Sequence, residues 1–419
     1  MKIVLSSLNF APELTGIGKY SGEMADGLVE RGHEVVVVCA PPYYPQWQLS
    51  PGYRAWAWRV ERPKRGLTVI RCPLWVPRQP SAIKRLVHLL SFMLSSLPVM
   101  LALALWRPTM VFAVAPAFFC APAAWLTARL SGAKAWLHVQ DFELDAAFEL
   151  GLLKGGVMRR VVSLLERVLL QRFDHVSTIS QRMMRQLARK GVAPEHSHLL
   201  PNWVNLRQIR RTAGSPALRR QLEVREDQVV FLFSGSMNRK QNLPVLFEAM
   251  RLLEPCDDIA LVISGDGELR RWVEEAAAGR ENIRVMDLQP LDRLNELLNL
   301  ADVHLLPQVA GAADLVMPSK LSGMLASGRP VIAAASPGTE LSRIVNGRGL
   351  LVAPESAVEF AAAMRLLADE ADTRQRLGAH ALVYAETALC LDCLLNRVES
   401  SLTRAVSPPT MGDSIRKVA

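Results

Sequence analysis

The sequence predicts an α/β protein built as two Rossmann-like domains. Three observations carry this reading. Short, continuous apolar runs alternate with helical patterns along most of the chain, as the strands of a parallel sheet covered on both faces do. The alternation occurs twice, with a junction near Pro201-Asn202-Trp203 that runs to about Pro216. The 419 residues, 50% hydrophobic and 21% charged, suit two or three ordinary domains and exclude a disordered chain.

The elements follow in order. Residues 3–8 read as a buried strand, followed by a loop to Gly18. Residues 19–31 read as a helix that Gly32 ends. Residues 34–39, with four consecutive valines, form the second strand, and 67–71, 110–114, 133–138 and 175–179 follow. In the second half the strands are 229–233, 259–263, 283–286, 303–306, 331–334 and 349–352. Helices fall near 243–253, 269–278, 292–299 and 319–327, and two more at 357–368 and 373–402 close the chain. The expected domains are 1–201 and 202–385, with a C-terminal helix at 386–406 and a loose tail at 407–419.

Residues 86–106 contain no Lys, Arg, Asp or Glu. As a helix of about 31 Å they could cross a bilayer. Strand-like segments of one sheet lie on both sides, which argues against a span. A helix buried in its own domain, a helix lying on or dipping into one leaflet, and a true span, the least favoured, all remain open. The N-terminal apolar stretch is too short for a signal peptide, so a cytoplasmic protein is expected.

Charge is uneven. Residues 1–200 hold 24 Lys/Arg against 13 Asp/Glu, and the remainder holds 25 against 27. A basic half suits an anionic lipid surface or a phosphorylated substrate. Nucleic acid is not expected, because no basic run is interleaved with aromatics. Six cysteines exclude a disulfide scaffold, and free thiols suit a reducing compartment. Cys390-x-x-Cys393 has no second pair, so the spacing alone assigns it no metal or redox role.

Four stretches could carry chemistry. After the first strand, Gly16-Ile17-Gly18 permits close backbone approach to a ligand. It lacks the third glycine and the later acid of a dinucleotide site, which argues against hydride transfer. Gly235-Ser236-Met237-Asn238-Arg239-Lys240 follows the first strand of the second half and offers an anion site, with Arg239 and Lys240 adding charge. Asp314 precedes Pro318-Ser319-Lys320, where Ser319 suits a helix cap and Lys320 adds another cation. His138 and Asp141 lie at the end of a strand, placed to touch a hydroxyl, although a structural role for His138 is the competing reading. There is no metal-ligand constellation and no serine-nucleophile elbow.

These motifs, in this order, resemble the retaining GT-B glycosyltransferases of family 4. The stretches 12–20, 40–47 (Ala-Pro-Pro-Tyr-Tyr-Pro-Gln-Trp) and Pro318-Ser319-Lys320-Leu321 are similar to its colanic acid branch, usually tied to fucose transfer. The resemblance implies two facing Rossmann-like domains. The second would hold a nucleoside-diphosphate sugar, GDP- or UDP-linked and by preference GDP-fucose. The first would hold a saccharide on a polyprenyl diphosphate. It implies peripheral docking on the inner membrane, no cofactor, and no metal where protein cations neutralise the diphosphate. Gly16, Gly18, Gly235, Ser236, Arg239, Lys240, Asp314, Pro318, Ser319 and Lys320 would face the donor. Asp141 and His138 would orient the sugar or the acceptor hydroxyl, and Lys240→Ala would lower turnover strongly.

The chain departs from the family pattern in two places. Two glutamates that the family often carries are replaced by Gly323 and Leu315, with Asp314 the nearest substitute. Ser236 stands where an arginine is common. A membrane-bound sugar-nucleotide-binding protein without transferase activity is the alternative, and a GT-B epimerase is a further one.

Overall fold

The valine- and leucine-rich runs pair as the pattern requires. In the computed structural model the chain is described over residues 1–13, 16–79, 81–115, 117–142, 156–254, 256–309 and 318–404, and the tail expected at 407–419 lies outside them. Two units are present: residues 1–201 with the stretch from Leu394 onward, and residues 202–393.

The first unit contains β1 (Lys2–Ser7), α1 (Gly16–Glu30), β2 (Glu34–Cys39), β3 (Arg59–Lys64), β4 (Leu67–Arg71), α2 (Ala82–Ala104), β5 (Met110–Val114), α3 (Ala117–Ser131), β6 (Lys134–Val139), α4 (Gly156–Leu170), β7 (His175–Thr178), α5 (Gln181–Arg189) and β8 (Ser197–Leu199). The sheet order is β3-β4-β2-β1-β5-β6-β7-β8. All pairs are parallel except β3 with β4. Val4 pairs with Val36 on one side and Val111 on the other, and its side chain is fully buried. Two strands escaped the sequence reading. β3 is a charged edge strand containing Pro63, and such edges carry no apolar run. β8 is only three residues long.

The second unit contains α6 (Pro216–Gln221), β9 (Val229–Ser234), α7 (Pro244–Leu252), β10 (Ile259–Ser264), α8 (Arg270–Ala277), β11 (Ile283–Met286), α9 (Leu294–Leu300), β12 (Val303–Leu306), α10 (Lys320–Ala326), β13 (Val331–Ala334), α11 (Glu340–Val345), β14 (Gly349–Val352), α12 (Ala357–Asp369) and α13 (Ala371–Ala388). Its order, β11-β10-β9-β12-β13-β14, is the doubly wound arrangement with its switch point between β9 and β12.

The helix expected over 373–402 is divided. Val204 donates to Leu389 O at 2.8 Å and accepts from Leu391 N at 3.3 Å, so the backbone leaves the helix to form a short bridge. α14 (Leu391–Arg404) then begins, and the chain passes into the first unit at 393/394. Within that unit Glu399 binds Arg31 and His33, each at 2.7 Å.

Residues 86–104 of the uncharged segment lie in α2, and Leu105 and Trp106 follow its end. Its His88, Phe92, Ser96 and Met100 recur every four residues and are buried, so one face packs inside the unit. The opposite face is open, with Ile83 76% and Leu94 64% exposed. The strands before and after α2 share one sheet, with β1 between β2 and β5. The helix therefore does not separate the sheet across a bilayer.

Candidate active site

Open α/β sheets hold ligands at the carboxyl ends of their strands. In the first unit β1 leads to Glu13, which is buried. Its Oε1 accepts the N–H groups of Tyr43 and Tyr44, and its Oε2 accepts Asn9 Nδ2, all at 2.9 Å. Burial holds this carboxyl above the ordinary glutamate value, against those donors and the Arg71 charge. Gly18 lies in the first turn of α1, which starts three residues earlier than the helical pattern implied. A Cβ at Gly18 would stand 2.7 Å from Glu13 Cβ and 2.8 Å from Oε2. The space expected to admit a ligand there is filled by the chain's own Glu13. Gly16, at φ +58°, has the Tyr44 ring 3.8 Å from its Cβ position. Buried Arg71 donates to Ala40 O and Ala11 O and meets Glu61. The glycine loop and the 40–47 stretch are thus one hydrogen-bonded cluster.

At the end of β6, His138 is 2% exposed and both ring nitrogens are engaged. Nδ1 lies 2.9 Å from Ser177 Oγ, and Nε2 lies 3.1 Å from Gln140 Nε2. Burial lowers its pKa to about 4, so the ring is neutral. This corrects the expectation that His138 touches substrate: it is a satisfied core histidine. Asp141, three residues on, is exposed. Surrounding protein raises its carboxyl above the usual value, opposed by the Phe142 N–H.

In the second unit β9 ends at Ser234 and the backbone turns at Gly235. Two glycines that the motif reading passed over build the neighbouring wall. Gly265, at φ +156°, approaches so closely that a Cβ would lie 1.9 Å from Gly235 O. A Cβ at Gly267 would lie 2.7 Å from Met237 O. Gly235 N bonds Ser264 O and Met237 N bonds Asp266 O, which zips the two strand ends together. Their signal was present as Gly265-Asp266-Gly267 at the end of a predicted strand.

The cations divide unequally around this turn. Asn238 accepts Lys240 N at 3.0 Å and caps a short turn, leaving the Ser236, Arg239 and Lys240 side chains exposed. Arg239 reaches Glu268 only at 4.0 Å. Lys320 instead points inward. Its Nζ donates to Gln241 Oε1 at 2.7 Å, sits 4.0 Å from the centre of the Phe233 ring, and lies 3.6 Å from the Gly235 Cβ position. Among the described residues no carboxylate pairs with it. Burial lowers its pKa to about 7. Gln308, just past β12, is buried with Oε1 lacking a hydrogen-bond partner among the described residues. Val309 N bonds Lys240 O at 3.1 Å, joining that strand end to the cationic turn.

The helix-cap expectation for Ser319 is corrected. Ser319 has helical angles in place of the extended ones a capping residue adopts and makes no capping bond, and Leu321 N is held by Pro318 O at 3.0 Å. Asp314 lies outside the described residues. Gly323 packs within 3.3 Å of Leu298 Cδ1, measured from its Cβ position. Among the described residues no group of three or more His, Cys, Asp or Glu is placed to hold a metal ion.

A glycine-walled strand end with an inward cation, at the carboxyl end of a doubly wound sheet, is suited to an anionic ligand such as a nucleotide. Residues 15–203 match the glycosyl transferase 4-like domain and residues 228–370 match the glycosyl transferases group 1 domain. The chain is 42% identical over 374 residues, 87% of its length and 91% of the relative, to WcaI of Escherichia coli (strain K12), a glycosyl transferase named for colanic acid biosynthesis. It belongs to this glycosyltransferase family. Solved structures share the fold. Sucrose-phosphate synthase from Thermosynechococcus elongatus is 17% identical with a TM-score of 0.72, covering 97% of this chain and 98% of its own. Anabaena HepE, solved with UDP-glucose, is 14% identical with a TM-score of 0.62, covering 96% of this chain and 100% of its own.

Proposed function

We propose that this glycosyltransferase moves a sugar, with fucose from GDP-fucose favoured, onto a polyprenyl-diphosphate-linked saccharide in colanic-acid-like exopolysaccharide synthesis, with retention. Lys320 carries the reading: an inward ammonium at the Gly235 turn with no carboxylate partner among the described residues suits an incoming diphosphate. As the C1–O bond breaks, charge collects on the leaving diphosphate. Lys320 and the loop amides stabilise it, with Lys240 and Arg239 adding outer positive charge. The acceptor hydroxyl attacks from the face the diphosphate leaves, which retains configuration. Asp141 orients that hydroxyl. The protein's own cations remove the need for a metal.

A second reading, a binder without turnover, is favoured by one observation. Gly323 stands against Leu298 where the family often has a glutamate, so no acid is supplied there. One assay separates the two. Purified protein in detergent, without metal, is given GDP- and UDP-sugars with polyprenyl-diphosphate-glucose. A fucosylated product of retained configuration is expected. Product from a different donor overturns the fucose assignment, and tight nucleotide binding without any turnover establishes the binder.

We further propose that the protein is cytoplasmic and docks peripherally on the inner membrane through the first unit. Exposed Leu94 on α2, Leu130 on α3 and Leu164 and Leu165 on α4 form apolar faces, with Lys84, Arg85 and Arg160 also exposed. Co-sedimentation with vesicles containing anionic phospholipid is expected, weakening with salt. The double variant Leu94→Glu/Leu164→Glu should lose about tenfold in partitioning, roughly the free energy of burying two large side chains less the cost of surface ordering. Wild-type protein that stays in the supernatant with anionic vesicles contradicts the docking.

A further inference from the structure

The isolated Cys390-x-x-Cys393 acquires a meaning that its spacing alone did not carry. Cys390 itself forms the bridge with Val204, one residue before α14 begins, and Cys393 lies in the first turn of that helix. The two Sγ atoms are 2.7 Å apart. Cys393 N donates to Cys390 Sγ at 3.1 Å, so the first sulfur occupies the place of a helix-capping acceptor and is aimed at the second. Residues three apart in a helical turn have Cβ atoms about 5–6 Å apart, against about 3.5–4.5 Å across a disulfide, so closure needs the Cys390 turn to tighten by about 1–2 Å. Cys393 is partly exposed, so an external reagent can reach it, while Cys390 is buried behind it.

We propose that Cys390 and Cys393 are a redox modification site that closes to an intrachain disulfide when the surrounding thiol–disulfide couple turns oxidising. The oxidant is a small-molecule disulfide of the glutathione class. The Cys393 thiolate attacks one sulfur of that disulfide, forming a mixed disulfide and expelling one thiolate. The Cys390 sulfur then attacks Cys393 Sγ, closes the protein disulfide and expels the second thiolate. The two protons leave the cysteines and end on the released thiols. The protein loses two electrons and the small disulfide gains them. Three of the other four cysteines are poorer candidates by burial: Cys39, Cys72 and Cys120 are buried, and burial pushes Cys39 and Cys72 up to about 12, while Cys256 is partly exposed and its side chain meets Arg365. The modified turn is where the chain passes from one unit into the other, at 393/394. Oxidation therefore fixes the backbone from which α14 departs.

The test uses the full chain equilibrated in glutathione buffers from reduced to oxidised, then quenched in acid, alkylated and digested with trypsin. Both cysteines fall in one peptide, residues 377–397. In oxidising buffer that peptide should lose both alkyl groups and be lighter by two hydrogens, with reduction restoring both. Cys390→Ser should trap glutathione on Cys393, and Cys393→Ser should leave Cys390 alkylatable. Two alkylated cysteines in the most oxidising buffer, or glutathione on both sulfurs without closure, overturn the proposal. The wild-type peptide decides the matter even if a variant fails to fold.

Discussion

Lys320→Met is expected to lower kcat/KM for the nucleotide-sugar donor by about 10²–10³, the range for removing one preorganised group from a developing oxyanion. The reason is position. The Lys320 ammonium is held by Gln241 and the Phe233 ring beside the Gly235 turn, so little reorganisation precedes binding. Lys240 is exposed and screened by water. Lys240→Ala is therefore expected to cost less than Lys320→Met, which reverses the ranking that the motif alone implied. The pH profile gives an independent check. With Lys320 lowered to about 7 in the free protein, the protonated, anion-binding form declines above that pH. Because kcat/KM reports ionisations of the free enzyme, it should fall about tenfold per pH unit there. Lys320→Arg keeps its charge and should abolish the fall. Stability runs the other way. Between about 7 and 10.5 the unfolded chain still holds the proton that native Lys320 has lost, so the unliganded protein gains stability across that window. A flat kcat/KM profile shared by wild type and Lys320→Arg would remove Lys320 from the diphosphate site.

Gly265→Ala is expected to destabilise the second unit by about 3–5 kcal/mol, from backbone strain at a left-handed position added to overpacking. The added Cβ would meet Gly235 O at 1.9 Å, and backbone cannot move aside as a flexible side chain can. The surviving folded protein should bind nucleotide weakly, because the Gly235 turn must shift. Gly279→Ala is the control. It also has positive φ, at +77°, but nothing lies within 4 Å of its Cβ position. Its cost should be about 1–2 kcal/mol, the left-handed penalty alone. Urea midpoints measure both. Equal midpoints would show that the close approach does not constrain the fold.

Much of the fold was legible because parallel strands buried on both faces must be continuously apolar. All six strands of the second unit fell where the apolar runs stood, from 229–234 to 349–352. β3 was not legible, since an edge strand is stabilised by pairing along one side and carries charge on purpose. The break at Cys390 was invisible because helical periodicity continues through it, and only pairing with Val204 interrupts the backbone.

The candidate site was legible in its location and less so in its assignments. Glycines next to strand ends marked the turns, yet Gly18 makes room for Glu13 and His138 is consumed by Ser177 and Gln140. A side chain's partner depends on strand order, which local sequence does not encode. Lys240 and Lys320 look alike as letters, and one points to water while the other points at the Gly235 turn.

By itself the sequence determined the class: two α/β domains, a basic first half, glycine turns at strand ends, and motifs in the order of a glycosyltransferase family. The domains, the charge and the turns are local or additive properties, set by periodicity, composition and spacing, while the family comes from the resemblance those motifs carry. The tertiary structure alone decided which cation faces the strand-end turn, which glycines are packed against backbone, and that Cys390 and Cys393 meet. The first two depend on where elements far apart in the chain are brought together, which packing rather than local preference sets; the cysteine contact follows the backbone break that pairing with Val204 makes at Cys390.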